Sequence, residues 1–524
     1  MYESNINTAQ GRYESCEAQR ETFLERARDS SKLTLPTLIP PSSYSNATKY
    51  PTPYQGIGAR GVNNLASKLL LSLLPPNAPF FRLKMDDFVI KEIEGDENLK
   101  SSIEEGLSQI ERAIMTDIDV MADRVAVFEA LKHLIVAGNV LLFVGENGIR
   151  VFPLSRYVIK RDPSGNVLEI ITKECVSPNA LPEEIRQGVL EQLKGDEKTV
   201  DIFTHVLRIK DKFKIYQEVK GMPIPKSQGS FPLDKSPYIP LRFNRIDSED
   251  YGRGYVEEYY GDLKSLEGLT RAIVEGSAAA SKVLFMVAPN GTTRARKLAE
   301  SPNGAIIEGS ANDVSTLQVN KFADFRIAYD TMNRIETRLQ YAFLLNSSIQ
   351  RNAERVTASE IRFMAEDLEK ALGGIYSILS QEFQLPFVMR KMSMMEKDKK
   401  LPKLPRDGVR PSIVTGLEAL GRGNDKNKLI SFLQTLAETL GPETIQKYIN
   451  VTDAVSRLAT SEGIDPKGLV RNEQEIQAEM QAEQEAMQQE QLNSVASQAA
   501  GKVAGNIPPD SLSQSLEQLN QQIG

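Results

Sequence analysis

At 524 residues, 40% of them hydrophobic and 25% charged, the chain has the composition of a folded protein with one large domain or several smaller ones. A formal net charge of −7 excludes a general nucleic-acid coat and leaves room only for a local DNA-facing surface. Two cysteines, Cys16 and Cys175, and two histidines, His133 and His205, exclude a disulfide scaffold and offer no zinc-type ligand set.

The start, Met1-Tyr2-Glu3-Ser4, is polar and lacks the apolar core of a secretory signal. The most apolar span, Leu134 to Val144, falls short of the ~20 residues a membrane helix needs, so a chain soluble before assembly is expected. Ala9 to Lys32 reads as an exposed, charged helix, and Pro36 to Pro53 cannot remain helical. Gly56-Ile57-Gly58-Ala59-Arg60-Gly61 matches a dinucleotide fingerprint, but two prolines among Tyr50 to Gln55 rule out the strand that such a loop requires. The glycines are read instead as a tight turn with close backbone packing. A short amphipathic helix from Gly61 to Leu74 follows, stopped by Pro75-Pro76.

Steps of three and four across Ile103, Leu107, Ile110, Ile114 and Ile118 predict a further helix, and Val127, Leu131, Leu134 and Ile135 another. His133 lies in that second apolar run and is read as structural. After Gly138 the pattern turns strand-like over Val140–Val144, Tyr157–Lys160, Val167–Thr172, Thr199–Leu207 and Phe213–Val219, with a hairpin turn at Asp162 to Asn166. Helices followed by strands point to an α+β fold, predominantly α. The carboxylates Asp247, Glu249, Asp250, Glu257 and Glu258 fit no metal-loop pattern and read as a solvated face. No phosphate-cradling motor loop and no local nucleophile–His signature occurs, so no enzyme, cofactor or metal site is expected.

The middle of the chain holds two helical seams. Leu266, Leu269, Ile273, Gly276, Ala280, Val283 and Val287 form the first; Phe325, Ala328, Met332, Ile335, Leu339 and Ala342 form the second. A thin apolar stripe of this kind suits packing against long neighbouring helices. Lys264, Arg271, Lys282, Arg326, Arg334 and Arg338 lie off the seams. Between them, Pro289-Asn290-Gly291 and Ser301-Pro302-Asn303-Gly304 break helicity, while Ala305–Ile307 and Val314–Val319 favour extended structure. A polar stretch from Asn346 to Val356 leads to a helix capped by Thr357 and Glu360 that runs toward Pro386, with a bend at Gly373-Gly374. Lys397–Pro411 reads as a linker, Val414–Ala459 as two or three short helices, and Glu473–Gln491 as a solvated helix, with disorder expected from Ala499.

Five blocks give this order a likeness: YQGIGARGVNNLASKLLLSLLPP from Tyr54, VFEALKHLIVAGNVLLFV from Val127, YGRGYVEEYYGDLKSLEGL from Tyr251, ERVTASEIRFMAEDLEKALGGIYSILSQEFQLPF from Glu354 and TGLEALGRGND from Thr415. Together they resemble the portal, or head-to-tail connector, proteins of short-tailed double-stranded DNA phages, up to about Asp425. The resemblance implies a dodecameric ring in the portal fold, lying at a capsid vertex of the virion after assembly in the host cytoplasm. It implies a wing (1–262, with the return segment 357–410), stem helices (263–287 and 322–345), a clip (288–321), a tunnel loop (346–356), a crown (411–470) and a Gln/Glu/Ala-rich tail (471–524). The implied partners are other copies of the chain, double-stranded DNA in the channel, the terminase large subunit, the tail adaptor, the major capsid and scaffolding proteins, and the internal core or ejection proteins; no membrane is implied.

A sliding duplex tolerates only few and weak phosphate contacts, because each adds affinity that multiplies around a ring. On that expectation Arg351, Arg355 and Arg362, with Asn346, Gln350, Arg334 and Arg338, are channel candidates. Arg294, Arg296 and Lys297 are candidates for docking at the clip. Gly276, Ala280, Ile335 and Leu339 are candidates for ring packing, and Gly373 and Gly374 for a hinge. The competing classes are a dehydrogenase-type enzyme, which lacks its strand, and a non-portal oligomeric scaffold or adaptor, which would not need the β region.

Overall fold

The computed structural model describes residues 8–41, 49–76, 79–85, 97–193, 198–280, 284–317, 322–345, 358–372, 374–401, 411–415 and 422–440, with isolated positions up to 469. It divides into two units, 1–421 and 422–524. The first mixes helices and sheets and is mostly helical.

Helix α1 (Ala9–Lys32) begins where the Thr8 hydroxyl accepts the Gly11 N–H at 3.1 Å. Its polar sequence promised exposure, and the structure corrects this. Ala9, Tyr13, Cys16, Leu24 and Ala27 are buried, and Arg20 is 2% exposed. The Arg20 guanidinium donates to the Tyr13 hydroxyl at 2.6 Å and to the Ser155 carbonyl at 3.2 Å. Its terminal nitrogens thus find protein partners while its stem packs, a combination that a charge count cannot reveal.

Beneath α1 lies a six-stranded antiparallel sheet of β4 (Tyr157–Arg161), β5 (Val167–Val176), β6 (Val200–Ile209), β7 (Lys212–Val219), β8 (Met222–Pro223) and β9 (Gly229–Pro232). Val158, Ile171 and Phe203 meet Ala9, Tyr13 and Cys16 in one apolar cluster. Beside it, Glu169 accepts from Arg12, and His205 bridges Glu169 at 2.7 Å and the Tyr216 hydroxyl at 2.9 Å. Burial works to raise the Glu169 pKa, but the His205 and Arg12 bonds prevail and hold it at about 2.

The main core joins α2 (Ile57–Leu73), α3 (Glu97–Val120), α4 (Asp123–Ala137) and the sheet of β2 (Asn139–Gly145), β3 (Gly148–Pro153) and β10 (Tyr238–Arg242). Helix α2 starts at Ile57, four residues before the expected Gly61, so Gly56 caps it and the other two fingerprint glycines, Gly58 and Gly61, lie inside it. A Cβ at Gly58 would sit 2.4 Å from the Leu33 carbonyl oxygen, and one at Gly61 2.5 Å from the Phe343 ring. Close approach is what these positions provide. Strands β3 and β10, like the short helix α5 (Glu183–Glu191), carry too little alternation or length to stand out in sequence.

Helix α6 (Tyr255–Glu258) leads into α7 (Tyr260–Ala280), which stops short of the helical run expected to Val287. Leu284–Val287 is instead strand β11, antiparallel to β12 (Val314–Leu317), because a ladder with Val314–Leu317 satisfies its backbone. No strand forms at Ala305–Ile307. After α8 (Ala295–Glu300) and α9 (Phe322–Ala342), α10 (Ala358–Ala371) is followed by α11 (Ile375–Leu379), a π turn at Ser380–Gln384 and α12 (Leu385–Lys397). The wider π turn changes the bonding register just before Pro386, so the chain stays helical past the proline that was expected to end it. Strand β13 (Pro411–Thr415) pairs with β1 (Phe81–Met85), where linker and helix were expected. The second unit contains α13 (Arg422–Leu440), a helix of 19 residues, and most of the remaining stretch to Ala459 where short helices were expected lies outside the described residues. The solvated helix at 473–491 and the disorder from Ala499 lie outside the described residues.

Candidate functional site: the paired helices and their hairpin

Helices α7 and α9 are rooted in the body at one end. Leu263 and Leu266 on α7, with Ile335 and Leu339 on α9 and Phe343 just beyond it, are buried there. Tyr255 donates to the Ala342 carbonyl at 2.8 Å and its ring packs edge-on to Phe343. Farther out the two helices hold mainly each other. Leu269 and Met332 are half-buried, and the Phe325 ring lies against Gly276, where a Cβ would sit 2.6 Å from it. Three ring-packing candidates therefore make their contacts within one chain. Ile335 and Leu339 are buried in its core, and Gly276 receives its own Phe325. The Ala280 side chain lies outside what the structure describes.

The faces turned away from this seam are apolar where neighbours would be needed. Val274 on α7 and Ile327, Tyr329 and Tyr341 on α9 are all about half exposed or more. Arg334 and Arg338 are exposed on α9, and Arg338 reaches Asp262 of α7 at 2.9 Å. An exposed pair like this contributes little to stability.

Sequence reading missed a clasp on α7. Glu267 accepts the backbone N–H groups of Tyr54 and Gln55 at 3.1 and 3.2 Å, and the Tyr54 hydroxyl donates to Glu275 at 3.3 Å. The Arg271 guanidinium lies over the Tyr54 ring at 5.1 Å. The Gln55 side chain meanwhile donates to the Leu33 carbonyl at 2.6 Å and accepts the Gly58 N–H at 2.9 Å. One hexapeptide thus ties the end of α1, the start of α2 and the flank of α7. Its only signal was two tyrosines spaced by prolines.

At the far end, the hairpin β11–β12 is closed by Asp313. Its Oδ2 accepts the N–H groups of Thr292 and Thr293 at 2.7 and 3.0 Å and their hydroxyls at 3.0 and 3.2 Å. These bonds, the Thr293 N–H foremost, hold its carboxyl below the usual range. Gly291 is needed here, since a Cβ would lie 2.5 Å from the Asp313 carboxyl carbon. The docking candidates Arg294, Arg296 and Lys297 are exposed beside this closure, and Arg296 pairs with Glu300 at 2.9 Å.

Asn346, Gln350, Arg351 and Arg355 lie outside the described residues, as do Thr357 and Gly373. Arg362 belongs to α10, with its side chain likewise outside. Gly374 takes φ +92° and begins α11, and Glu369 accepts the Ser377 N–H at 3.1 Å across the break. The helix is interrupted at Gly374, since a left-handed residue cannot sit inside a right-handed helix. Of the carboxylates from Asp247 to Glu258, Glu249 and Glu257 meet Arg253, Asp250 meets Lys160, and Glu258 accepts from the Asn244 amide. Among the described residues no helix is long and apolar enough to cross a membrane.

Comparison with known proteins places this architecture. A family model described as bacteriophage head to tail connecting protein matches residues 7–470. The portal protein of Escherichia phage T7 is 43% identical over 476 residues, covering 89% of this chain and 88% of that protein. That of Enterobacteria phage T3 is 42% identical over 480 residues, covering 90% and 89%. Among solved structures, a chain from the neck of an empty GTA particle aligns at 11% identity with a TM-score of 0.33, covering 72% of this chain and 86% of that one. On the family match and the two phage relatives, the chain belongs to the bacteriophage head-to-tail connecting proteins, the portal proteins of short-tailed phages.

Proposed function

We propose that twelve copies of the chain form a ring around double-stranded DNA at one capsid vertex, receiving the packaging motor and later the tail. One observation carries this reading: the α7–α9 pair is satisfied along its own seam yet keeps Val274, Ile327, Tyr329 and Tyr341 open on its other faces. Four large apolar side chains exposed on one helix pair form a surface that a partner can cover, and cyclic symmetry supplies the same partner to every copy. In this reading α7 and α9 are the stem, the β11–β12 hairpin with α8 the clip, residues 346–356 the tunnel loop, and the segment from about Pro411 the crown. The body of helices and sheets is the wing.

Arg351 and Arg355 in the loop, with Arg362 and the amides Asn346 and Gln350, would recur once per subunit and form narrow basic bands along the channel. Arg334 and Arg338 are the stem contribution. Arg294, Arg296 and Lys297 face the terminase large subunit and then the tail adaptor. The capsid, scaffolding and internal core proteins meet the wing and crown, and Gly373-Gly374 lets the returning helix move the loop. Mass measurement and imaging of the purified chain test the assembly: closed rings with a central hole are expected. Monomers or dimers at every concentration would refute it, as would rings that persist unchanged when Ile327 and Tyr341 are both replaced by lysine.

A further inference from the structure

The turn between β4 and β5 gathers guanidinium groups from distant parts of the chain. Arg161 ends β4, and its guanidinium donates to the carbonyls of Gly165 at 3.0 Å, Pro240 at 3.2 Å and Asp250 at 3.2 Å. Arg242 ends β10 and donates to Glu382 of the π turn at 3.1 Å. Arg245 donates to the Ser164 carbonyl at 2.8 Å. Gly165, at φ +87°, lies where they meet: a Cβ there would be 2.7 Å from Arg245 Nη2 and 3.3 Å from Arg242 Nη2. Two cations three residues apart, Arg242 and Arg245, thus approach one point on the turn that follows β4.

Three carboxylates, Asp162, Asp250 and Glu382, face the three guanidinium groups and Lys160, which leaves one positive charge in excess. Asp162 accepts from Asn166 at 2.8 Å from the backbone and 2.9 Å from the side chain, bonds that leave its charge in place. Asp250 accepts the Arg161 backbone N–H at 2.7 Å and faces Lys160 at 3.5 Å. Glu382 alone among the described carboxylates pairs directly with one of the three guanidinium groups. Arg242 is 2% exposed, and among the described residues its Nε has no hydrogen-bond acceptor; the Glu382 Oε2 likewise lacks a donor. Burial, and after it the charge of Arg242, pushes Arg161 down to about 10. A buried cation with an unfilled donor beside like charges is costly until a counter-charge completes it.

We propose that the Asp162–Asn166 turn is a binding site for one small phosphate-class oxyanion, held by Arg245 and Arg242 with Arg161 behind them. Guanidinium forks match tetrahedral oxyanions in shape as well as charge. The anion is a free one, because Arg242 is too buried for the phosphodiester of a duplex to reach. The site is contained in one chain and does not depend on ring formation. It adds a bond between the sheet, β10 and the π turn that follows α11.

Calorimetric titration of the full chain with inorganic phosphate and with sulfate, against sodium chloride at equal ionic strength, tests this. One tetrahedral anion per chain is expected, with chloride failing to compete. Arg245→Ala should weaken phosphate about ten- to a hundredfold, the loss of one charge-assisted bond, and Arg245→Lys should restore only part. Arg245 is exposed, so these variants should keep the melting temperature of the parent in chloride. A short DNA duplex should leave bound phosphate in place. Equal binding by parent and Arg245→Ala, or no preference over chloride, overturns the site. Displacement by the duplex overturns the free-anion assignment.

Discussion

His133 is buried on α4, its Nδ1 unpartnered among the described residues, and burial pushes its imidazole down to about 4. Because the folded pKa lies below the unfolded one, the unfolded chain takes up the proton first, and stability falls as pH drops from about 6.5 through 4. His133→Leu should flatten that part of the profile in thermal unfolding while leaving neutral pH nearly unchanged; an unaltered slope would contradict it. Glu169 acts lower. Its pKa is depressed from 4.5 to about 2, so its contribution is complete above 4.5 and lost as pH falls toward 2. Glu169→Gln should cost about 1.5–3 kcal/mol at neutral pH by denaturant unfolding, from the weakened bonds to charged groups. The gap to the parent should close below pH 4.5. The apolar run around His133 announced its burial, whereas the Arg12–Glu169–His205 cluster joins positions too far apart in sequence for any local pattern to connect.

At the scale of elements, Lys391 joins three helices. It is 1% exposed on α12 and reaches Asp117 of α3 at 2.7 Å and Asp123 of α4 at 2.6 Å. Lys391→Met should destabilise the fold by about 3–5 kcal/mol in urea, since two carboxylates are left without their cation. Restoring part of that loss with Asp123→Asn would show that the charge, not the packing, is responsible. On the α7–α9 pair, Gly276→Leu drives a side chain into Phe325 and should cost about 1–3 kcal/mol while splaying the helices. Rings formed at parental yield by that variant would show that the helices tolerate the wider spacing. Element bounds were legible: Ala9–Lys32 ends where expected, although its buried face was not foreseen, and the strands from Val140 to Val219 lie within one to four residues of the expected ones. Where the chain switches state within an apolar run, as at Ala280 to Leu284, periodicity continues while the partner changes, and only pairing with Val314–Leu317 decides the outcome.

For the whole molecule, the order of the helices and the turn-rich hairpin between α7 and α9 were legible because their periodicities are local. The assignment of packing residues was less so. A seam looks the same in sequence whether its partner is the same chain or a neighbour, and Ile335, Leu339 and Gly276 found theirs at home. The ring reading makes one functional prediction about the loop. Arg351→Ala with Arg355→Ala should leave assembly intact and lower the share of full heads, because a weak contact removed from every subunit sums around the ring. Counting full and empty heads over a range of salt checks it. Equal retention would return the loop to a simple connection.

The pairing of β1 with β13 also sets a schedule. Phe81 lies opposite Thr415, more than three hundred residues later in the chain. Near it, the Tyr376 hydroxyl donates to the Ser72 carbonyl at 3.2 Å and Gln384 to the Leu73 carbonyl at 2.7 Å. At roughly 5–20 residues per second, β1 leaves the ribosome on the order of half a minute before its partner exists. Until then its ladder groups are open and the end of α2 is uncovered, so the early product is the aggregation-prone one. A chain truncated before Pro411 therefore never receives the strand that shields this edge. The paired helices, which precede it in synthesis, are made before the body that anchors them can close.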